Sequence, residues 1–327
     1  MPITFQTSVI AVTQIFAMGA LGFYLVRSGI IHESGLKLLS HLSVNIFFPL
    51  FIFNQIIRHF DAVRMPFWWG FPLINISLVL TGLLVSFLVV KVMTGTTFFN
   101  QKVVPVMTFK DGFLAVSSMH NAGYIPLLIM MSLPLGGWAG QIYTCVILSI
   151  IGFDTCLWSM GVWLMTRGQS SRMDLRKMIN PPLLSMFTAI VIVLVFGGKA
   201  VPGIVLKPVE ILGDAAMAVA MIVIGGNLSM SGFKKVAWPQ VTGAALVKLI
   251  VLPLITLVVL SLVKLNPLIS FVAIIQACMP SSITLSIIGR NYETKNQDFI
   301  NQTIFVTHLL SLLTIPVFLA FYGKLIN

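Results

Sequence analysis

Ten apolar stretches, at about 6–27, 36–57, 66–92, 106–131, 138–166, 180–198, 206–230, 236–263, 267–289 and 299–323, take up most of this 327-residue chain. About 20 apolar residues are what an α-helix needs to cross the hydrocarbon of a bilayer. Hydrophobic residues make up 57% of the chain and charged residues only 9%, which is more apolar surface than a water-soluble core buries. None of the stretches shows the alternating ten-residue pattern of a membrane β-barrel. The expectation is an all-α polytopic membrane protein with ten transmembrane helices. In lipid, each backbone polar group needs a partner within the protein, so a break inside such a helix demands a special environment.

Two stretches contain such breaks. The fourth reads Ser118-Met119-His120-Asn121-Ala122-Gly123-Tyr124-Ile125-Pro126, and the ninth reads Gln276-Ala277-Cys278-Met279-Pro280-Ser281-Ser282. Proline removes a backbone donor and crowds the turn before it. Ten spans divide into five plus five, at 1–167 and 180–327, joined by a short linker at 168–179. An odd number of spans per half sets the halves in opposite orientations, and the breaks then fall at matching places of an inverted repeat. Paired interruptions of this kind point to the binding site of a transporter. A shift of 169 positions also brings Asn45 onto Asp214 and Trp69 onto Trp238, a faint trace of the same repeat.

The net charge of +11 is spread between the apolar stretches without a long basic block, so bilayer orientation accounts for it and nucleic acid is not an expected partner. Thirteen Lys and Arg fall on one set of connections and six on the other, which predicts both termini outside. Among the thirteen are Arg27, Lys37, Lys102, Arg167, Arg172, Arg176, Lys177, Lys234, Lys235, Arg290 and Lys295. Residues Met1 to Thr7 lack Lys and Arg, so the basic flank of a cleavable signal peptide is missing. Cys145, Cys156 and Cys278 lie in apolar stretches and read as buried thiols; their spacing suits no metal, and no cofactor is expected.

The breaks supply the candidate site. Half-helices that begin there present backbone N–H groups and a positive dipole end, which hold an anion without a charged side chain. Asn121 and Tyr124 in the first break, and Gln276, Ser281, Ser282 and Thr284 around the second, add donors and acceptors, with Pro126 and Pro280 forming the breaks. The competing reading is two kinked but ordinary helices whose Ser and Thr bond back onto the chain. Lys248 and Asp154 lie near the middle of spans, where a charge costs roughly 2.5–3.5 kcal/mol on insertion scales. Lys248 is expected near the breaks, offsetting the negative ends of the half-helices as a bound cation would. Asp154 is expected either to pair with it or to carry a coupling proton; a purely structural ion pair is the alternative. His120 adjoins the first break, where it either titrates or is simply hydrogen-bonded. Asn45 could line the solute path opposite the breaks.

The chain resembles bacterial members of the auxin efflux carrier family, the PIN-like group. The resemblance is carried by Gly29-Ile30-Ile31-His32-Glu33-Ser34-Gly35-Leu36 with Asn45 and Pro49-Leu50-Phe51, by Asn121-Ala122-Gly123-Tyr124-Ile125-Pro126-Leu127, by Asn180-Pro181-Pro182-Leu183 with Gly213-Asp214 and Gly225-Gly226-Asn227, and by Met279-Pro280-Ser281-Ser282 with Ile315-Pro316. It implies the sodium/proton-antiporter-like fold, with helices four and nine crossing at their breaks. It also implies a scaffold of helices 1, 2, 6 and 7 beside a mobile transport domain of helices 3–5 and 8–10, with homodimers common. The implied cargo is a small organic anion, auxin in plants and carboxylates such as malonate or malate in bacteria, with H+ or Na+ as coupling ion. The chain departs from the plant pattern in its short 168–179 linker and in having no carboxylate in helix three before Lys91.

The function expected is thus a secondary carrier of an organic anion in the cytoplasmic (inner) membrane, working by an elevator-like shift. A channel or a solute sensor on the same fold is the alternative. The sequence has no His-Glu-x-x-His, no glycine-flanked nucleophilic serine and no P-loop, so no enzyme is expected.

Overall fold

The computed structural model describes residues 4–94, 106–166, 180–230, 238–292, 294 and 296–326. The 168–179 linker and the orientation-setting Lys102, Arg167, Arg172, Arg176, Lys177, Lys234, Lys235 and Lys295 lie outside the described residues. The described chain is helical: α1 (Phe5–Arg27), α2 (Glu33–His59), α3 (Gly70–Thr94), α4 (Val106–Ser118), α5 (Tyr124–Ser132), α6 (Gly136–Thr166), α7 (Pro181–Phe196), α8 (Gly203–Ser229), α9 (Trp238–Leu262), α10 (Pro267–Ala277), α11 (Thr284–Asn291) and α12 (Gln297–Ile326). Seven of these, α1, α2, α3, α6, α8, α9 and α12, are long and apolar enough to cross a membrane. The apolar helices α7 and α10 are shorter. The fourth and ninth apolar stretches are each split, into α4 and α5 and into α10 and α11. Bulky side chains such as Leu84, Leu88 and Val92 on α3, and Val191, Val195 and Phe196 on α7, stay exposed. An apolar exterior of that extent suits lipid and not water.

Three of the long helices contain a π-helical turn: Ser43–Phe47 in α2, Leu157–Gly161 in α6 and Val247–Val251 in α9. In two of them a proline follows, Pro49 and Pro253. Each proline lacks the N–H that would bond the carbonyl four residues back, Asn45 or Leu249, and its ring crowds that carbonyl. Widening the turn there relieves the clash while the helix continues. The side chains of Asn45 and Lys248 project from these widened turns.

Glycines set the closest helix contacts. A Cβ on Gly22 would strike the backbone of Ile222, and one on Gly225 the backbone of Gly19, so α1 and α8 touch main chain to main chain. A Cβ on Gly213 would sit 2.8 Å from the Phe51 nitrogen, and one on Gly198 would meet the Ile57 carbonyl. These contacts join α1, α2, α8 and the end of α7. A second set joins other helices: Gly82 to the backbone of Ser118, Gly152 to Pro72, Gly112 to Asn296, and Gly243 to Met93 and Phe113. Between the two sets the glycine contacts are with side-chain rings: Gly123 meets the tip of Phe48, and a Cβ on Gly140 would strike the His59 ring. The sets also touch where α1 packs on α12.

Candidate functional site

The two breaks meet. His120 and Ser281 form an antiparallel bridge; the Asn121 N–H donates to the Pro280 carbonyl at 2.8 Å, and the Ser282 N–H donates to the Met119 carbonyl at 2.9 Å. Extended backbone at membrane depth is tolerable only when such groups are paired inside the protein. Each break satisfies the other. Pro126 stands third in α5, where a helix has no use for its missing N–H, so it helps start the second half-helix and does not kink a continuous one. Pro280 lies between α10 and α11 and contributes the carbonyl that Asn121 reaches.

Side chains lock this junction from below. The Ser281 hydroxyl donates to the Val116 carbonyl at 2.6 Å, and Thr307 Oγ1 accepts from the Ser281 N–H at 3.3 Å. Gln276 Nε2 donates to the Ala122 carbonyl and to Ser149 Oγ, both at 3.0 Å. Asn75 Nδ2 donates to the Ser149 carbonyl at 2.8 Å, which leaves its Oδ1 to accept from His120 Nε2 at 3.0 Å. Nε2 therefore carries the proton of a neutral His120 and Nδ1 is its acceptor nitrogen, with no hydrogen bond of good geometry among the described residues; the ring also lies against the Ser118 backbone. His120, Gln276 and Ser281 are fully buried. Their chemistry goes into holding the breaks together.

A cavity of about 480 Å³ opens on the other side of the junction. Asn45, Asn121, Tyr124, Asp154, Ser282 and Thr284 all line it. The starts of both second half-helices, Gly123–Tyr124 and Ile283–Thr284, lie in its wall. At the second start the Leu285 and Ser286 N–H groups are taken by the Ser282 and Ile283 carbonyls at 3.3 and 2.9 Å. The wall therefore offers the positive ends of two helix dipoles and the first-turn N–H groups of α5, which suit an anionic or strongly accepting group. The candidate residues thus divide: six line the cavity, whereas His120, Gln276, Ser281, Pro126, Pro280 and Lys248 are absent from its lining.

Lys248 is 1% exposed on the π-turn of α9, which packs against α3, α4 and α12. Its ammonium interacts electrostatically with the His120 ring and the Cys278 thiol, the latter at the C-terminal cap of α10. That is the negative end of a half-helix, where a cation is favoured. Among the described residues no ion pair joins Lys248 to Asp154. Asp154 Oδ2 instead accepts from Asn180 Nδ2 at 3.2 Å, while Asn180 Oδ1 caps α7 by accepting from the Leu183 N–H at 2.9 Å. The pairing alternative fails because the lysine sits on the junction and the aspartate faces the cavity.

Further residues escaped the sequence reading. Asn75 and Ser149 connect α3 and α6 to the breaks, and Ser43 and Phe48 pack directly on Tyr124 in the cavity wall. Tyr124 Oη and Ser43 Oγ are 3.4 Å apart, and the Phe48 and Tyr124 ring centroids are 4.5 Å apart. Nothing in the sequence pairs these positions, because each partner lies tens of residues away. The Asn45 amide turns back to the His41 carbonyl at 2.8 Å and to His41 Nδ1 at 3.2 Å.

Residues 7–173 and 164–319 match the model of the membrane transport protein family, that of the auxin efflux carriers. The chain belongs to this family. It is therefore a multi-pass membrane protein of a transporter family. It is similar to an uncharacterized transporter of Methanocaldococcus jannaschii, 25% identical over 305 residues, which covers 90% of this chain and 92% of that one. It is also similar to Protein PIN-LIKES 2 of Arabidopsis thaliana, 27% identical over 187 residues, which covers 52% of this chain and 40% of that protein.

Proposed function

We propose that this family member is a secondary carrier of a small organic anion of carboxylate type, held in the junction cavity and exposed in turn on each face of the cytoplasmic membrane. The observation that carries the reading is the convergence in one cavity of two half-helix starts with Asn121, Ser282 and Thr284. Backbone N–H groups and side-chain amides and hydroxyls there match the oxygens of a carboxylate, with no need for a cation in the wall. The ten apolar segments act as an inverted five-plus-five arrangement. α1, α2, α7 and α8 serve as scaffold, and α3–α6 with α9–α12 as the moving body. Support comes from the glycine contacts: main chain meets main chain within each group, while the two glycine contacts between groups are with side-chain rings. With the termini outside, the cavity mouth at Lys37 and His41 opens to the cytoplasm.

Asp154 is the proton-coupling group in this reading, which favours H+ over Na+. Two like charges about 4 Å apart repel by roughly 4 kcal/mol at a partly solvated protein site. An anion therefore binds best when Asp154 is protonated, and binding strengthens as pH falls through the titration of that carboxyl. The Asn180 link to Asp154 joins the start of α7 to α6, the two proposed bodies, so a proton on Asp154 also weakens a tie between them. Asp154→Asn is neutral at every pH. Saturable uptake of labelled malonate into proteoliposomes should lose its pH dependence in this variant. Uptake that keeps its full pH dependence sinks the coupling role, and flux that never saturates favours a channel.

A further inference from the structure

We propose that a second cleft, at the far end of α2, is an anion-collecting vestibule: the port at which the solute meets the protein on the face opposite the junction cavity. The inference rests on the carrier reading and adds the location and charge of its other opening. The cleft has a volume of about 880 Å³. Arg58, Arg64 and Lys199 line it, against a single lining carboxylate, Asp61.

The cations are held in place and only partly neutralised. Arg58 Nε donates to Asn54 Oδ1 at 2.8 Å, and its Nη2 lies 3.2 Å from Glu210 Oε2. Lys207 Nζ shares that carboxylate oxygen at 2.9 Å, so one acid serves two cations. Asp61 is 3.4 Å from Arg64 Nε and also accepts from the Val63 N–H at 2.9 Å. Among the described residues, Lys199 has no carboxylate partner. An excess of one sign in a cleft with low-dielectric walls concentrates counter-ions there and speeds their capture.

Its position gives the cleft a role in the route. Phe48 lines the junction cavity and Ile57 lines the cleft, both on α2. Nine residues of helix separate them, about 14 Å at 1.5 Å per residue. Between these points Phe51, Ile52 and Ile56 are buried in one core with Ile125, Leu127 and Ile129 of the first break's second half-helix. That core closes the path between two cavities at opposite ends of α2. The cleft's other wall, Gly137 to Gln141, starts α6, where the His59 ring abuts Gly140. It is therefore a seam between the two proposed bodies, where a relative shift opens or closes space.

Thiol labelling tests this without any knowledge of the cargo, since Cys145, Cys156 and Cys278 are buried and give little background. Val63 is 90% exposed and lines the cleft, and Ser40 lines the junction cavity. In oriented membrane vesicles, membrane-impermeant methanethiosulfonates should label Val63→Cys and Ser40→Cys from opposite faces. The rate ratio of the sulfonate-bearing to the trimethylammonium-bearing reagent at Val63→Cys should exceed that of a free thiol by roughly tenfold, as a surface potential of about one kT or more implies. Adding Arg64→Gln and Lys199→Gln should return the ratio toward the free-thiol value. Gln141→Cys, on the opposite wall, is a second reporter should the first variant fold poorly. Labelling from the same face, or a free-thiol ratio at both reporters, overturns the proposal. Neither readout depends on transport, so failure of the carrier reading would show separately, as absent carboxylate binding at the junction.

Discussion

Replacing Lys248 by methionine is expected to abolish transport while raising the melting temperature of the purified protein by a few degrees. The side chain is 1% exposed, and among the described residues no carboxylate pairs with it. An ionised group so placed costs roughly 2.5–3.5 kcal/mol on insertion scales, and methionine fills a similar volume without that penalty. A buried charge replaced by a well-packed apolar residue often leaves a protein as stable or more so. The ammonium is retained, in this account, because it offsets the negative ends of α4 and α10, whose breaks it faces through His120 and Cys278. Loss of that compensation weakens the junction as a binding element. Thermal melting in detergent and uptake in proteoliposomes read the two effects separately. A lower melting temperature would make Lys248 a structural group, and transport at the wild-type rate would remove it from the mechanism.

The largest loss of stability is expected from Gly225→Leu. The missing Cβ at this position lies against the carbonyl of Gly19, and the opposing Gly22 lies against the backbone of Ile222. A side chain that meets main chain has no rotamer by which to escape, so α1 and α8 must separate. Overpacking commonly costs about 1–3 kcal/mol, and a backbone-on-backbone seam belongs at or above the upper end. Size-exclusion profiles of the detergent-solubilised variant should lose the monodisperse peak. Gly203→Ala is the control, because a Cβ there meets nothing within 4 Å. An intact Gly225→Leu profile would mean that α1 and α8 do not form a rigid unit.

These contrasts show where sequence reasoning reaches and where it stops. Hydropathy placed the helices to within a few residues, since each must bury or present an apolar surface along its whole length. The breaks were legible because Asn121, Gly123, Pro126 and Pro280 carry local backbone constraints that need no knowledge of neighbours. Lys248 was recognisable as a charge in a span. Its place near the breaks was expected too, whereas the separation of Asp154, which bonds Asn180 on the cavity side, was not. The division of the candidates into cavity lining and junction depends on contacts made across the fold: Ser281 reaches Val116, Gln276 reaches Ala122, and His120 reaches Asn75. Each of those polar side chains looked, in one dimension, as available to a solute as Asn121 or Ser282. The π-turns were equally hidden, for Pro49 and Pro253 signal a disturbed turn without saying whether the helix kinks or widens.

The central claim is that the junction cavity binds a small organic anion. The most direct measurement is a thermal-shift titration of the purified protein with small mono- and dicarboxylates, comparing wild type with Asn121→Leu and Ser282→Leu. The account predicts a saturable stabilisation by at least one carboxylate that both substitutions remove, since both side chains line the cavity where the half-helices begin. No stabilisation by any carboxylate, or stabilisation that survives both substitutions, would contradict it.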